Sequence, residues 1–239
     1  MSEASFSKDD VEHVFGRALR PGLPPLPQRM RNLPLDHRGF PVPWFVAWVD
    51  GAPDFRVIGP GKIVEAVNGQ KCWLCGQRLG AFKTFVIGPM CAVNRISSEP
   101  PSHLDCAEFA AKACPFLTQP RMRRNEKDLP EEGVNPAGIP IKRNPGVALV
   151  WVTRSFKVEK HPRPSGEGAL FRVGDPTAVH WYAEGRDATR DEVIASINSG
   201  LPLLYDQCER EIGPLKREAA RRELHRLMEV ALKLVPEAV

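Results

Sequence analysis

The pattern of hydrophobic and polar positions predicts short strands separated by turns, together with a few amphipathic helices. The apolar runs over 44–49 and 147–152 are typical of buried strands, and the alternation over 178–183 is typical of a strand with one buried side. Strands are expected over 44–49, 54–58, 82–87, 147–154, 169–173 and 178–183. Strands mixed with helices in this order predict an α+β fold.

Two helices are predicted, one from an apolar stripe and one from a capping box at its first residues. A stripe of apolar residues at spacings of three and four predicts a helix over 8–19. Thr189 and Glu192 form a regular capping box, so a second helix should begin there and run to about Asn198. Gly200 is predicted to end that helix, because glycine is favoured just after a helix C-terminus.

The last predicted helix begins at Pro214, since proline is well tolerated at the first helical position. Its opposite face is charged, so the helix is amphipathic and should dock against the protein's own sheet, a partner protein or a second copy of the chain. Its apolar stripe is predicted to be buried and consists of Leu224, Leu227, Met228 and Ala231.

The amino-acid composition predicts many turns, and its distribution along the chain predicts two parts. The 239 residues include 24 prolines and 19 glycines, which favour many short elements. A proline-rich connector over 126–146 separates a predicted N-terminal part, 1–125, from a β-sheet and helix part, 147–239. Since 42% of the residues are hydrophobic, wholesale disorder is excluded.

The apolar runs are too short to predict a membrane span, because a spanning helix needs about 20 apolar residues. The first ten residues, MSEASFSKDD, are acidic and polar, unlike a secretory leader. A cytoplasmic location is therefore expected. In that reducing compartment the cysteines should be thiols or metal ligands and not disulfides.

Five of the six cysteines lie between residues 71 and 114. Cys72 and Cys75 form a CxxCG turn, and His103 and Cys106 share one face of a predicted helix whose N-cap is Ser102. A CxxC turn, a β-hairpin and a helix with the second ligand pair resemble a treble-clef zinc finger, here over 70–115. Three cysteines and one histidine are a usual closed set for structural zinc, which favours scaffolding over catalysis.

One alternative ligand set stays open at this point. Cys91 follows Gly-Pro-Met and could replace His103, which would give an all-cysteine site. His103 is favoured because the second ligand pair belongs at the helix start. Cys114 and Cys208 are expected to be buried core thiols.

Several longer phrases resemble a family of bacterial and phage proteins that contains this treble-clef-like finger. The matching phrases are RGFPVPWFVAW, CWLCG, FVIGPMCAVNR, PPSHLDCAEFAAKACPFL and WYAEGRDATRDEV. The resemblance covers most of the chain. It implies a bacterial or phage origin and no particular activity.

The net charge of +4 is concentrated in one segment. Between residues 142 and 163 there are six basic residues and one acidic residue, Glu159. Such an excess attracts phosphates, so Arg143, Arg154 and Lys157 are the predicted nucleic-acid contacts. The neighbouring Trp151 is expected in the core, because it shares a strand face with other apolar residues.

Three functions remain open from the sequence. The leading hypothesis is a non-enzymatic zinc-finger protein that binds DNA or RNA. The second is an accessory factor that binds a protein partner, or a second copy, through the C-terminal helix. The third is an enzyme whose site the sequence does not reveal, because no recognisable nucleophile turn is present.

Overall fold

A computed structural model of the protein describes residues 18–129, 142–163 and 166–237. The helix predicted over 8–19 lies outside this range except for its last two positions, which are not helical, and 130–141 of the predicted connector also lie outside it. The mixture of helices and strands confirms the α+β class. The elements are β1 (Val46–Val49), β2 (Ala52–Ile58), α1 (Lys62–Asn68), β3 (Lys83–Ile87), α2 (Pro89–Asn94), β4 (Ile96–Ser97), α3 (Leu104–Ala113), α4 (Pro115–Thr118), β5 (Ala148–Thr153), β6 (Phe156–Arg163), β7 (Gly166–Val173), β8 (Pro176–Ala183), β9 (Arg186–Asp187), α5 (Arg190–Glu209) and α6 (Pro214–Leu232).

Within the described residues the strands form antiparallel sheets in the orders β1–β2, β3–β5–β8–β9 and β4–β7–β6. Every residue of β5 is buried, and this strand pairs with β3 on one side and β8 on the other. β3 precedes the proline-rich connector and β5 follows it. The ladder between them therefore joins the two parts that the sequence analysis separates.

The β3–β5–β8–β9 sheet, the central sheet, is covered on both faces. Leu149 and Trp151 of β5 point into the main core, which also contains side chains from α2 and α5. Val150 points to the opposite face, where it meets Ala107 and Ala111 of α3. The predicted core position of Trp151 is confirmed, and α3 lies directly against the sheet.

The prediction that Gly200 ends its helix is wrong, because α5 continues to Glu209. Gly200 lies in the middle of α5, where the helix passes very close to α2. A Cβ atom at this position would lie 2.5 Å from the sulfur of Met90. Glycine at this position allows the two helices to pack closely. Because this requirement comes from tertiary structure, a local sequence pattern does not reveal it.

Helix α6 packs on the protein's own helices α2 and α5. Leu224 and Ala231 are buried against Val93 and Cys208, which confirms the prediction for these two residues. Leu227 and Met228 are half-buried at the edge of the same cluster. No helix in the described part of the chain is long and apolar enough to cross a membrane.

Candidate metal centre

The turn that contains Cys72 and Cys75 is held between the N-terminal segment and α3. Trp44 donates its backbone N–H to the carbonyl of Leu74 at 2.8 Å. Gly76 adopts φ +73°, and a Cβ there would lie 2.5 Å from the Trp44 ring. Only glycine fits both conditions, so the CxxCG sequence is needed for the turn to pack under Trp44.

Helix α3 begins one residue later than predicted. Its N-cap is His103, with no capping hydrogen bond from its side chain, whereas Ser102 forms an isolated β-bridge with Thr84 of β3. The predicted Ser102 cap is therefore wrong, because pairing with β3 holds Ser102 in an extended conformation. Between the CxxC turn and α3 the described residues form no two-stranded hairpin: β3 pairs with β5, β4 pairs with β7, and the local pairings are isolated bridges, Lys71 with Arg78 and Thr84 with Ser102.

The structure brings the four predicted ligands together. The ligand atoms of Cys72, Cys75, His103 and Cys106 all lie within 4.8 Å of one another. A tetrahedral site with metal–sulfur bonds of about 2.3 Å needs sulfur atoms about 3.8 Å apart, and this separation falls within the 4.8 Å limit. The three cysteines are buried and His103 is half-buried. The cluster could hold a metal ion.

The imidazole of His103 is oriented by a backbone carbonyl. Its Nε2 lies 3.1 Å from the carbonyl oxygen of Arg78, and its Nδ1 lies 3.4 Å from Cys75 Sγ. Since a carbonyl oxygen only accepts, Nε2 is the N–H donor in the neutral ring. Nδ1 then has the free lone pair, and it points into the cluster as a metal ligand would.

The sulfur of Cys72 is surrounded by hydrogen-bond donors. The backbone N–H groups of Cys75 and His103 each lie 3.4 Å from Cys72 Sγ. Hydrogen bonds from Cys106, and then Cys75, hold the pKa of Cys72 well below its usual range. The same contacts raise the pKa of Cys106, which keeps its proton. The site therefore favours a thiolate, the form that binds metals.

The sulfur atoms of Cys72 and Cys75 also favour the protonated form of His103. Hydrogen bonding to Cys72, and then to Cys75, raises the pKa of His103 to about 10. Without a metal the ring is thus a cation beside a thiolate. A metal ion needs the neutral ring and deprotonated thiols, so binding releases protons, and metal affinity falls as the pH falls.

Cys91 does not belong to the cluster. It lies on α2, half-buried against the main core, and burial raises the pKa of its thiol to about 11. Burial also raises the pKa of Cys114. These two thiols are held in the neutral form, unlike Cys72, and the set with His103 is the one that the geometry favours.

The structure separates the three predicted nucleic-acid contacts. Arg143 precedes β5 and Arg154 follows it, so about 17 Å of strand lies between them. Arg143 is half-buried and donates to Ser199 Oγ at 3.0 Å. Arg154 and Lys157 are exposed and lie at the other end of β5, three residues apart.

Phe82 is a neighbour of Arg154 that was not predicted from the sequence. The guanidinium of Arg154 lies 4.7 Å from the centroid of the Phe82 ring. Phe82 precedes β3 and Arg154 follows β5, so the contact arises from the pairing of these strands. The sequence signal was the pair of strand predictions at 82–87 and 147–154, but their register was not predictable.

No protein-family model, curated protein or solved structure matches the chain. The likeness to bacterial and phage proteins therefore stays an expectation from the sequence, and the site must be interpreted from its own geometry.

Proposed function

We propose that the chain is a non-enzymatic zinc-finger protein of bacterial or phage origin, in which a treble-clef-like site holds one structural zinc ion. The observation that supports this most is the convergence of three buried cysteines and His103 Nδ1 within 4.8 Å. Sulfur-rich sets of four protein ligands are typical of structural zinc and leave no position for a catalytic water. Zinc bound there would fix the start of α3 against the CxxC turn.

We also propose that this zinc-stabilised scaffold binds DNA or RNA through Arg154 and Lys157. Both side chains are exposed, Arg154 directly after β5 and Lys157 three residues later. Exposed cations contact phosphates without distinguishing sequences. Arg143 is assigned a structural role instead, because its guanidinium is engaged with Ser199 and the carbonyl of Asn144.

Binding assays at several salt concentrations test this proposal. Arg154→Gln and Lys157→Gln should each weaken binding by a similar factor on every sequence. Each should also lower the slope of log affinity against log salt by about one unit. Lys142→Gln is the matched control, since Lys142 is exposed and lies at the other end of β5 with Glu126. Absence of binding at micromolar protein and low salt would refute the proposal.

A second candidate function is supported by two exposed apolar side chains, one in the turn before α6 and one in the first turn of α6. Ile212 is 86% exposed and Leu215 is 80% exposed. Paired exposed apolar residues favour contact with a protein, either a partner or a second copy. A solution mass that rises with concentration in the wild type, and not in an Ile212→Ser, Leu215→Ser double variant, would favour this function.

A further inference from the structure

One surface next to the metal centre combines apolar side chains with cations. Thr84 and Ser102 exchange two backbone hydrogen bonds, of 3.0 and 2.6 Å. Phe82 lies two residues before Thr84, and Leu104, the first residue of α3, lies two residues after Ser102. Phe82 is 46% exposed and Leu104 is 39% exposed, so two apolar side chains meet water on either side of this bridge.

The other side of Phe82 is flanked by Arg154. Lys83 pairs with Thr153 in the β3–β5 ladder, and the next residues outward are Phe82 and Arg154. The guanidinium lies over the aromatic ring, as in a cation–π contact. Phe82 and Arg154 are thus neighbours across the β3–β5 ladder, Leu104 lies near them beyond the Thr84–Ser102 bridge, and Lys157 follows three residues after Arg154. We call these four residues the Phe82 face.

Three acidic residues that are close in sequence to Leu104, Arg154 or Lys157, or across the sheet from them, are paired with other cations. Asp105 lies 3.8 Å from Arg29, Asp175 lies 2.5 Å from Arg95, and Glu159 lies 2.5 Å from Arg172. Within the described parts of the chain, neither Arg154 nor Lys157 has a carboxylate partner. The Phe82 face therefore has an unbalanced positive charge beside an exposed aromatic ring.

We propose that the Phe82 face binds single-stranded nucleic acid, with a base stacked on Phe82 against Leu104 and phosphates at Arg154 and Lys157. This rests on the proposed nucleic-acid function and adds the class of ligand. An exposed aromatic ring beside cations suits a single strand, because unpaired bases present a free π-face to it. Bases inside a duplex are stacked on both sides and cannot reach the ring.

The test uses the full zinc-loaded chain and fluorescence anisotropy. The probes are labelled single-stranded DNA and RNA of equal length, and a DNA duplex. Phe82→Ala should weaken single-strand binding about tenfold and leave duplex binding and the salt slope unchanged. Phe55→Ala is the matched control, because Phe55 is also partly exposed and lies under a guanidinium, that of Arg38. It should have no effect.

Phe82→Trp gives a readout that does not depend on removing the ring. This variant should keep single-strand affinity and show extra quenching of tryptophan fluorescence when a strand binds, which Phe55→Trp should not show. Equal losses for single strands and duplex in Phe82→Ala, no loss, or no extra quenching would overturn the single-strand inference while nucleic-acid binding stands. Failure of every probe to bind would refute both proposals.

Discussion

Helices α3 and α5 begin in opposite ways. At the start of α5, Thr189 and Glu192 form both hydrogen bonds of a capping box, and Arg186 holds the Glu192 carboxylate. At the start of α3 the side chain of His103 makes no capping bond, and its backbone N–H is directed at the sulfur of Cys72. One helix start is satisfied by its own neighbours, and the other depends on a turn 31 residues earlier.

The comparison indicates which part of the fold a metal bound at the cysteine cluster would stabilise. Helix α3 has ten residues, fewer than the about 12–15 that an isolated helix needs, and it is packed between the cysteine cluster and the central sheet. Helix α5 has 20 residues and packs on α2 and α6. We therefore expect metal loss to unfold the region of α3 and to leave the α5–α6 pair intact.

The largest expected effect is that of Cys75→Ser, which removes one of the four ligands. The variant should lose the metal and the hydrogen-exchange protection of residues 70–115, because structural zinc supplies folding free energy directly. Protection of α5 and α6 should persist. Cys91→Ser is the matched control, since it makes the same chemical change outside the cluster, and it should keep both metal and protection. Equal loss of protection in α3 and α5 would contradict the comparison.

Substitutions in α6 test the stability of the α5–α6 pair, which we expect not to depend on a bound metal. Leu224→Ala should lower the free energy of unfolding by about 2–4 kcal/mol, because it leaves a cavity against α2 and α5. Leu227→Ala should cost less, because Leu227 is half-buried. Urea titrations measure both costs. A cost of Leu227→Ala equal to that of Leu224→Ala would show that the burial of α6 is misassigned.

The two helix starts should differ in their response to loss of a hydroxyl group. Thr189→Ala should lower the free energy of unfolding by about 1 kcal/mol, because it removes the capping bond of α5. Ser102→Ala, at the position that the sequence predicted as a cap for α3, should cost less than half as much. Thermal melts of both variants measure the difference. Equal costs would mean that Ser102 caps α3 after all.

The smallest expected effect concerns the pH dependence of the α5 cap. Hydrogen bonds from Arg186, and then Thr189, lower the pKa of Glu192 to about 2, from an ordinary value of 4.5. Because the folded pKa is the lower one, this stabilisation is complete above pH 4.5 and is lost as the pH falls towards 2. The stability difference between wild type and Glu192→Gln, measured in urea, should shrink over that range. A difference that stays constant from pH 7 to pH 2 would be inconsistent with this role.

The cluster of three cysteines and His103 was largely predictable because its members come in local pairs. The spacings Cys72-x2-Cys75 and His103-x2-Cys106 each place two side chains on one turn. Short-range geometry was therefore sufficient to predict each pair. The strand after the turn was also predicted. The spacing did not predict which strand pairs with it. Its partner is β5, which lies beyond the proline-rich connector.

Other features depend on contacts that no local pattern encodes. The tight approach of Gly200 to Met90 is tertiary, so the glycine was misinterpreted as a helix stop. β6 was not predicted because its charged residues resemble a solvated loop, although it pairs along its whole length with β7. The contact between Phe82 and Arg154 needs the register of the β3–β5 pairing, which only the folded structure fixes.

The zinc content of the purified protein tests the central claim most directly. Elemental analysis should find one zinc per chain in the wild type and in Cys91→Ser, and close to none in Cys75→Ser, because the metal needs all four ligands of the cluster. Zinc absent from carefully purified wild-type protein, or retained in full by Cys75→Ser, would contradict the account.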